Sequence, residues 1–163
     1  MSARQIAYVA VLAALYVAIG QVTRFIPNPM VPGANIALNM TVVVVAGILL
    51  GPASGAFVGL IGTALNAISP AGNAFEYAAI IPHAIMGLSA GLLARVSRPA
   101  AAFAIIVGHL LNILAFLIAD LLPADQLAVT IFSVGLLAEA VIDLIVIWLA
   151  VAALRPLVRP AAA

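Results

Sequence analysis

A carboxylate and an imidazole lie within one apolar stretch in the middle of the chain. Glu76 and His83 are seven residues apart, so a helix would place both on the same face. Glu76 could bind a cation or a hydrogen-bond donor from an outward cavity, with Tyr77 supplying a ring, or it could be a capping carboxylate that favours the helix dipole. His83, which follows Pro82, could line the same cavity or hydrogen-bond to another helix.

Two further pairs of polar residues have helical spacing. His109 and Asn112 are three apart, and Glu139 and Asp143 are four apart, so each pair shares one helix face. The first pair could bond to another helix or form a second wall of the cavity. The two acidic groups repel each other, so we expect one to be protonated or to pair with a histidine in a structural polar cluster. Amide side chains join them toward the outer half: Asn35, Asn39 and Asn66.

The same residue types could bind a divalent metal, because imidazole and carboxylate are suitable ligands. The spacings HxxxH, HxH and ExxH are absent from the sequence, as is His-Glu-x-x-His. Cysteine and lysine are absent too, which excludes disulfides, thiol catalysis, a Schiff base and a Walker A phosphate loop. We therefore predict that the chain is not an enzyme and has no metal site.

The composition indicates that the chain is solvated by lipid. Hydrophobic residues make up 67% of the 163 residues and charged residues only 7%, whereas roughly a quarter of a soluble domain is charged. A crossing needs about 20 apolar residues, so we predict an all-α integral membrane protein in which residues 1–163 form one six-transmembrane-helix bundle. The predicted spans are Ala3–Thr23, Ile36–Leu50, Gly55–Ile68, Phe75–Ala94, Ala100–Leu121 and Leu127–Leu154.

The arginines orient this bundle. With six spans and a cytoplasmic N-terminus, five arginines lie inside, while Arg24 lies outside with Asp120 and Asp125. This asymmetry satisfies the positive-inside rule, so we predict that the N- and C-termini are both cytoplasmic. The formal net charge of +1 gives no indication of a nucleic-acid partner. The inside arginines are Arg4, Arg95, Arg98, Arg155 and Arg159.

Small residues recur every four positions in two segments. Gly51, Gly55 and Gly59 would let helix backbones approach closely in lipid, and Pro52 adds a tight break after the first of them. Span one carries an alanine face, which could pack inside the bundle or dock another membrane protein. The members of the alanine face are Ala10, Ala14 and Ala18.

Together these segments resemble the substrate-binding S components of energy-coupling factor (ECF) vitamin transporters. Ala10-Val-Leu-Ala-Ala14 is similar to the family's AxxxA docking motif. Gly47-Ile-Leu-Leu-Gly51-Pro52-Ala-Ser-Gly55-Ala-Phe-Val-Gly59 resembles its hinge between helices two and three. Pro82-His-Ala-Ile-Met-Gly87-Leu-Ser-Ala-Gly91 resembles the end of its helix four. The likeness covers nearly the whole chain.

The resemblance implies a multi-pass subunit of a prokaryotic plasma-membrane importer. Such a subunit binds a vitamin or a vitamin precursor near the outer face, beneath the loop that follows helix one. A transmembrane coupling protein would dock on the alanine face, and two cytoplasmic ATPases would hydrolyse ATP, so this chain itself carries no cofactor. Toppling of the S component would then release the vitamin inside the cell.

The substrate is the least determined part of this prediction. Glu76-Tyr77 resembles a Glu-Tyr pair of thiamine-specific members, which favours thiamine or its pyrimidine precursor, although the only tryptophan, Trp148, lies near the cytoplasmic end of span six. Riboflavin, pyridoxine and a queuosine precursor are alternatives. The predicted substrate contacts are Glu76, Tyr77, His83, His109, Asn112, Asn35, Asn39 and Glu139.

Two other classes of function stay open at this stage. One is a stand-alone proton- or metal-coupled transporter of a small solute, and the other is a structural membrane subunit with a satisfied polar core. The residues that the stand-alone transporter would use are His83, His109, Glu139 and Asp143.

Overall fold

The protein is all-helical in the parts that the structure, a computed structural model, describes, namely residues 1–28, 35–70 and 72–158. Arg159 and the middle of the loop after the first helix lie outside these residues. The helices are α1 (Ala3–Thr23), α2 (Met40–Leu50), α3 (Pro52–Ala67), α4 (Ala74–Leu93), α5 (Arg98–Ala101), α6 (Ala104–Ile118) and α7 (Gln126–Leu154). Within the described residues, the only β-type pairing is an isolated bridge between Pro27 and Asn35.

Four segments are long and apolar enough to cross a bilayer, which confirms the predicted helical membrane protein. These segments are Ala3–Thr23, Ala74–Leu93, Arg98–Ile118 and Gln126–Leu154. Helices α2 and α3 have 11 and 16 residues, or lengths of about 16 and 24 Å, against a hydrocarbon core of roughly 30 Å. The count of six crossings and the cytoplasmic termini therefore stay predictions.

Three predicted spans differ from the observed helices by three residues or more. The predicted break over residues 51–54 is wrong beyond Gly51, because α3 begins at Pro52 and not at Gly55. The predicted helix from Ile36 is wrong in its first turn, because the Ile36 amide donates to the Ile26 carbonyl across the loop at 3.1 Å, and α2 begins only at Met40. The predicted span from Ala100 is divided: α5 has Pro99 in its first turn, and a turn around Phe103 separates it from α6.

Helix α2 lies at the centre of the bundle. Nine of its 11 residues are buried, and it packs against α1, α3, α4, α6 and α7. A backbone enclosed by protein does not need to match the bilayer thickness, and non-helical backbone is tolerated there. This position explains how the irregular segment 35–39 can enter the bundle ahead of α2.

Helices α3 and α4 approach each other closely through glycine. A Cβ atom at Gly55 would collide with the carbonyl oxygen of Gly87, and one at Gly59 would collide with the carbonyl oxygen of His83. Gly51 has a positive φ of 96° and joins α2 to α3, and Pro52 occupies the first turn of α3. The glycine series therefore packs α3 against the part of α4 that carries His83.

The alanine face of α1 points away from the bundle. Ala10, Ala14 and Ala18 are exposed, whereas Tyr16 and Gly20 on the opposite side of the helix are buried. This arrangement excludes packing of the alanine face inside the bundle. Docking of another membrane protein on it stays a prediction.

Candidate functional site

A partly enclosed cavity lies between five helices and one irregular segment. The helices are α1, α3, α4, α6 and α7, and the segment is the stretch that precedes α2. The unfilled space of the cavity amounts to about 670 Å³ including the open mouth. One side is apolar, and the other is rich in amide and carboxylate groups. The polar lining residues are Thr23, Arg24, Asn35, Asn39, Asn66, Asn73, Glu76, His83, Asn112 and Glu139.

The cavity brings together six of the eight predicted substrate contacts, although they come from separate parts of the chain. Tyr77 and His109 are the two that do not line it. Tyr77 is 55% exposed on the outside of the bundle, because one residue of helix turns the side chain about 100° from Glu76. The six that line the cavity are Asn35, Asn39, Glu76, His83, Asn112 and Glu139.

His109 forms a buried pair behind the cavity. Its Nε2 atom lies 3.1 Å from Asp143 Oδ2, and both side chains are fully buried. This contact supplies the histidine partner expected for one of the two acidic groups on α7. Within the described residues, no group of three or more His, Cys, Asp or Glu side chains could hold a metal ion.

Glu76 lies in the first turn of α4, but it does not cap the helix. That role belongs to Asn73, whose Oδ1 atom accepts a hydrogen bond from the Glu76 amide at 3.2 Å. The Glu76 carboxylate accepts a hydrogen bond from the Tyr16 hydroxyl at 3.4 Å and interacts with the amide side chains of Asn39 and Asn66. The carboxylate is therefore held in the cavity wall by groups from three other segments.

His83 is the point where four helices meet. The hydroxyl oxygens of Tyr16 on α1 and Thr63 on α3 lie 2.9 and 2.8 Å from its Nδ1 atom. On its other side, Nε2 lies 3.2 Å from the amide nitrogen of Asn112 on α6. Because each buried polar atom of the imidazole has a partner, the ring is fixed in one orientation.

Glu139 connects α7 to the loop after α1. Its Oε2 atom accepts a hydrogen bond from Asn28 Nδ2 at 2.9 Å, and its Oε1 atom accepts one from the backbone amide of Ala37. Asn28 precedes the middle of the loop and Ala37 follows it. One carboxylate thus holds both ends of the loop against the cavity.

Three phenylalanine rings form the apolar side of the cavity. The centroid of Phe75 lies 5.0 Å from that of Phe116 and 6.2 Å from that of Phe132, and the last two are 5.8 Å apart. The edge-to-face and offset contacts are those that aromatic pairs prefer. A flat ligand ring can bind against such a surface.

Sequence reasoning missed several of these residues. Tyr16 could have been found from its spacing, because Tyr16, Gly20 and Thr23 recur on one face of α1, opposite the alanine face. Phe116 follows Asn112 by four residues and therefore shares its face on α6. Asn28 carried no such signal, because its contact with α7 spans 111 residues.

The segment Gly87-Leu-Ser-Ala-Gly91 has the letters of a nucleophile elbow but not its structure. An elbow serine lies on a sharp strand-to-helix turn. Here all five residues lie within α4, and Gly87 and Gly91 pack against the backbone of α3 and its N-cap Gly51. The segment is part of a helix interface.

Residues 1–158 match the family described as the ECF-type riboflavin transporter, S component. The chain belongs to this family. As an S component it is a membrane-embedded, vitamin-binding transporter subunit, and its family is not one of enzymes. The predicted kinship with ECF S components is confirmed. The preference for thiamine has no support, since the family description names riboflavin and Tyr77 lies outside the cavity. No curated protein matches the chain significantly.

Proposed function

We propose that this S component binds riboflavin, or a closely related flavin, in the cavity and delivers it to an ATP-driven importer in the plasma membrane of a prokaryote. The observation that carries the proposal is the pairing of three phenylalanine rings with a wall of amides and carboxylates in one cavity. The ring system of riboflavin is flat and largely apolar, and its ribityl chain carries hydroxyl groups. An apolar pocket with a few placed polar groups is the usual form of such a site.

The choice of riboflavin over thiamine follows from the site as well as from the family. A thiamine site of the expected kind needs Glu76 and the Tyr77 ring together, and Tyr77 lies outside the cavity. The carboxylate of Glu76 already accepts a hydrogen bond from Tyr16 and interacts with the amides of Asn39 and Asn66. Such a carboxylate orders the polar wall and has less capacity to serve as the counter-ion of a cationic ring.

The proposed partners are a transmembrane coupling protein and two cytoplasmic ATPases that hydrolyse ATP. The exposure of Ala10, Ala14 and Ala18 supports docking of the coupling protein on α1, because small side chains allow close helix approach in lipid. The left-handed backbone at Gly51 supports a hinge between α2 and α3. Coupling to ATP hydrolysis would then move the S component and release its cargo inside.

The proposed topology has six crossings with both termini in the cytoplasm. Arg95 and Arg98 flank the connection between α4 and α5, whereas Asp120 and Asp125 flank the connection between α6 and α7. These two connections lie at opposite ends of the apolar segment Arg98–Ile118, so the charge asymmetry supports the orientation.

Riboflavin binding can be measured directly on the detergent-purified S component by isothermal titration. We expect saturable binding by the wild-type protein, with thiamine, pyridoxine and a queuosine precursor failing to displace the flavin. The variant Phe116→Ala should weaken binding at least tenfold, while the exposed Phe103→Ala serves as the matched control. Displacement by thiamine would overturn the choice of riboflavin.

A second measurement addresses the mode of transport. Liposomes that contain the S component alone should bind riboflavin without accumulating it, and accumulation should need the ATPase module. Accumulation without the module would overturn the proposed ATP-driven import and favour the stand-alone transporter.

A further inference from the structure

The hydrogen bonds between Glu76 and His83 run in one direction. The Tyr16 hydroxyl donates its only proton to Glu76 Oε2, because a carboxylate can only accept. The same hydroxyl oxygen lies 2.9 Å from His83 Nδ1 and, with its own proton engaged, is an acceptor for it. This direction requires the Thr63 hydroxyl, 2.8 Å from the same nitrogen, to accept from Nδ1 as well. Nδ1 consequently carries the proton of the neutral imidazole, and Nε2 is left as an acceptor.

The direction of these hydrogen bonds determines which atom of the Asn112 amide, the nitrogen or the oxygen, faces His83. His83 Nε2 accepts, so the group 3.2 Å away must be the NH₂ of Asn112. The second contact of that NH₂ is the sulfur atom of Met40, at 3.8 Å. The carbonyl oxygen of Asn112 therefore points away from His83, and it has no hydrogen-bond partner in the part of the chain that the structure describes.

Asn39 repeats this arrangement at the other end of the chain of hydrogen bonds. Its side chain interacts with the Glu76 carboxylate, and only its NH₂ group can do so favourably, whereas its Oδ1 atom has no partner among the described residues. Asn39 and Asn112 are only 2% and 4% exposed, and both line the cavity. A buried acceptor without a partner is costly, so a bound ligand that supplies a donor gains that energy.

We infer that Asn112 and Asn39 make the cavity selective for a cargo whose ring edge presents an N–H donor, and that Asn112 accepts it. This inference rests on the proposed function. Phe116 lies one turn beyond Asn112 on the same face of α6. A ring stacked against Phe116 would therefore lie within about one helical turn of the Asn112 amide. In riboflavin the donor on the ring edge is the imide N–H.

In this arrangement Tyr16 and His83 are positioning residues. They do not supply the acceptor for the ligand. Because Glu76 accepts from Tyr16, and Tyr16 accepts from His83, these two residues fix the orientation of the Asn112 amide. A pocket that selected by shape alone would not depend on the Tyr16 proton. Selectivity between a donor ligand and its methylated analogue is therefore the property that separates the two explanations.

The test compares riboflavin with riboflavin methylated at the imide nitrogen, by isothermal titration of the detergent-purified S component. We expect the wild-type protein to prefer riboflavin about tenfold or more, as for one buried hydrogen bond left unmade. Tyr16→Phe removes the hydroxyl proton that sets the direction of these hydrogen bonds. The preference of this variant for riboflavin over the methylated compound should fall to about twofold. Tyr77→Phe, the same change on the exposed surface, should keep the wild-type preference.

The outcomes separate this inference from the proposed function. If the wild-type protein binds no flavin, the proposed function fails. If it binds riboflavin and the methylated compound equally well, the proposed function stands and the inference is wrong. If the preference survives in Tyr16→Phe and in Asn112→Leu, it arises from steric exclusion and the inference is again wrong. The wild-type comparison needs no variant, so equal binding of the two flavins would refute the inference even if a variant fails to fold.

Discussion

The Tyr16 hydroxyl oxygen lies 2.9 Å from His83 Nδ1, although the two residues are 67 positions apart in the chain. This contact joins α1, whose other face is exposed alanine, to α4, which contributes Glu76 and His83 to the cavity. It follows that the proposed docking surface and the proposed cargo site are opposite faces of the same helix. A movement of α1 on docking would therefore reach His83 and Glu76 directly.

Glu76→Gln should weaken riboflavin binding by about 2 kcal/mol, the size of a hydrogen bond to a charged group. The neutral amide removes the charge that accepts from Tyr16 and interacts with the amides of Asn39 and Asn66. Isothermal titration on the purified variant measures the change, with Tyr77→Phe as the control. An unchanged affinity would remove Glu76 from the site.

Glu139→Ala should release both ends of the loop after α1. The variant loses the acceptors for Asn28 Nδ2 and the Ala37 amide, so we expect riboflavin to dissociate about tenfold faster, as for the loss of about 1.4 kcal/mol. Stopped-flow measurement of flavin release gives the rate. Glu139→Gln keeps one acceptor oxygen and should have an intermediate rate, and equal rates for all three proteins would refute the loop anchor.

Gly55→Ala should destabilise the bundle. The added methyl group meets the Gly87 carbonyl and the Gly47 backbone, which are not side chains that can move aside, so we expect a loss of about 1–3 kcal/mol. Thermal unfolding in detergent measures it. Ala53→Val, which enlarges an exposed residue of α3, is the control and should leave the melting temperature within a few degrees of the wild-type value.

Ala14→Leu should separate docking from cargo binding. The larger side chain roughens the exposed alanine face, so we expect the affinity for the coupling protein to fall about tenfold or more, with riboflavin binding unchanged. Co-purification with the ECF module and flavin titration measure the two properties. Ala138→Leu makes the same change on the exposed side of α7. Equal loss in both variants would argue against a specific docking face.

Much of the site could be predicted because a polar side chain in a membrane helix is costly unless it has a partner or faces a cavity. This argument identified Glu76, His83, Asn112 and Glu139 from the sequence, and all four line the cavity. It failed for Tyr77, because a tyrosine at the end of a membrane helix can face outward at little cost. It could not rank Asn39 against the other amides, since their partners lie on other segments.

The sequence by itself determined that this protein is embedded in lipid, where most of its helices lie in the chain, and to which family it belongs. These properties depend on composition and on local spacing, which can be read within one segment without knowing where the other segments lie. The tertiary structure alone decided which helix faces meet: that Tyr16 reaches His83, that Glu139 holds the two ends of a loop, and that three phenylalanines share one wall. Lipid solvates every apolar face about equally well, so hydrophobicity does not specify which faces pack together, and that choice depends on small residues and hydrogen bonds between distant segments.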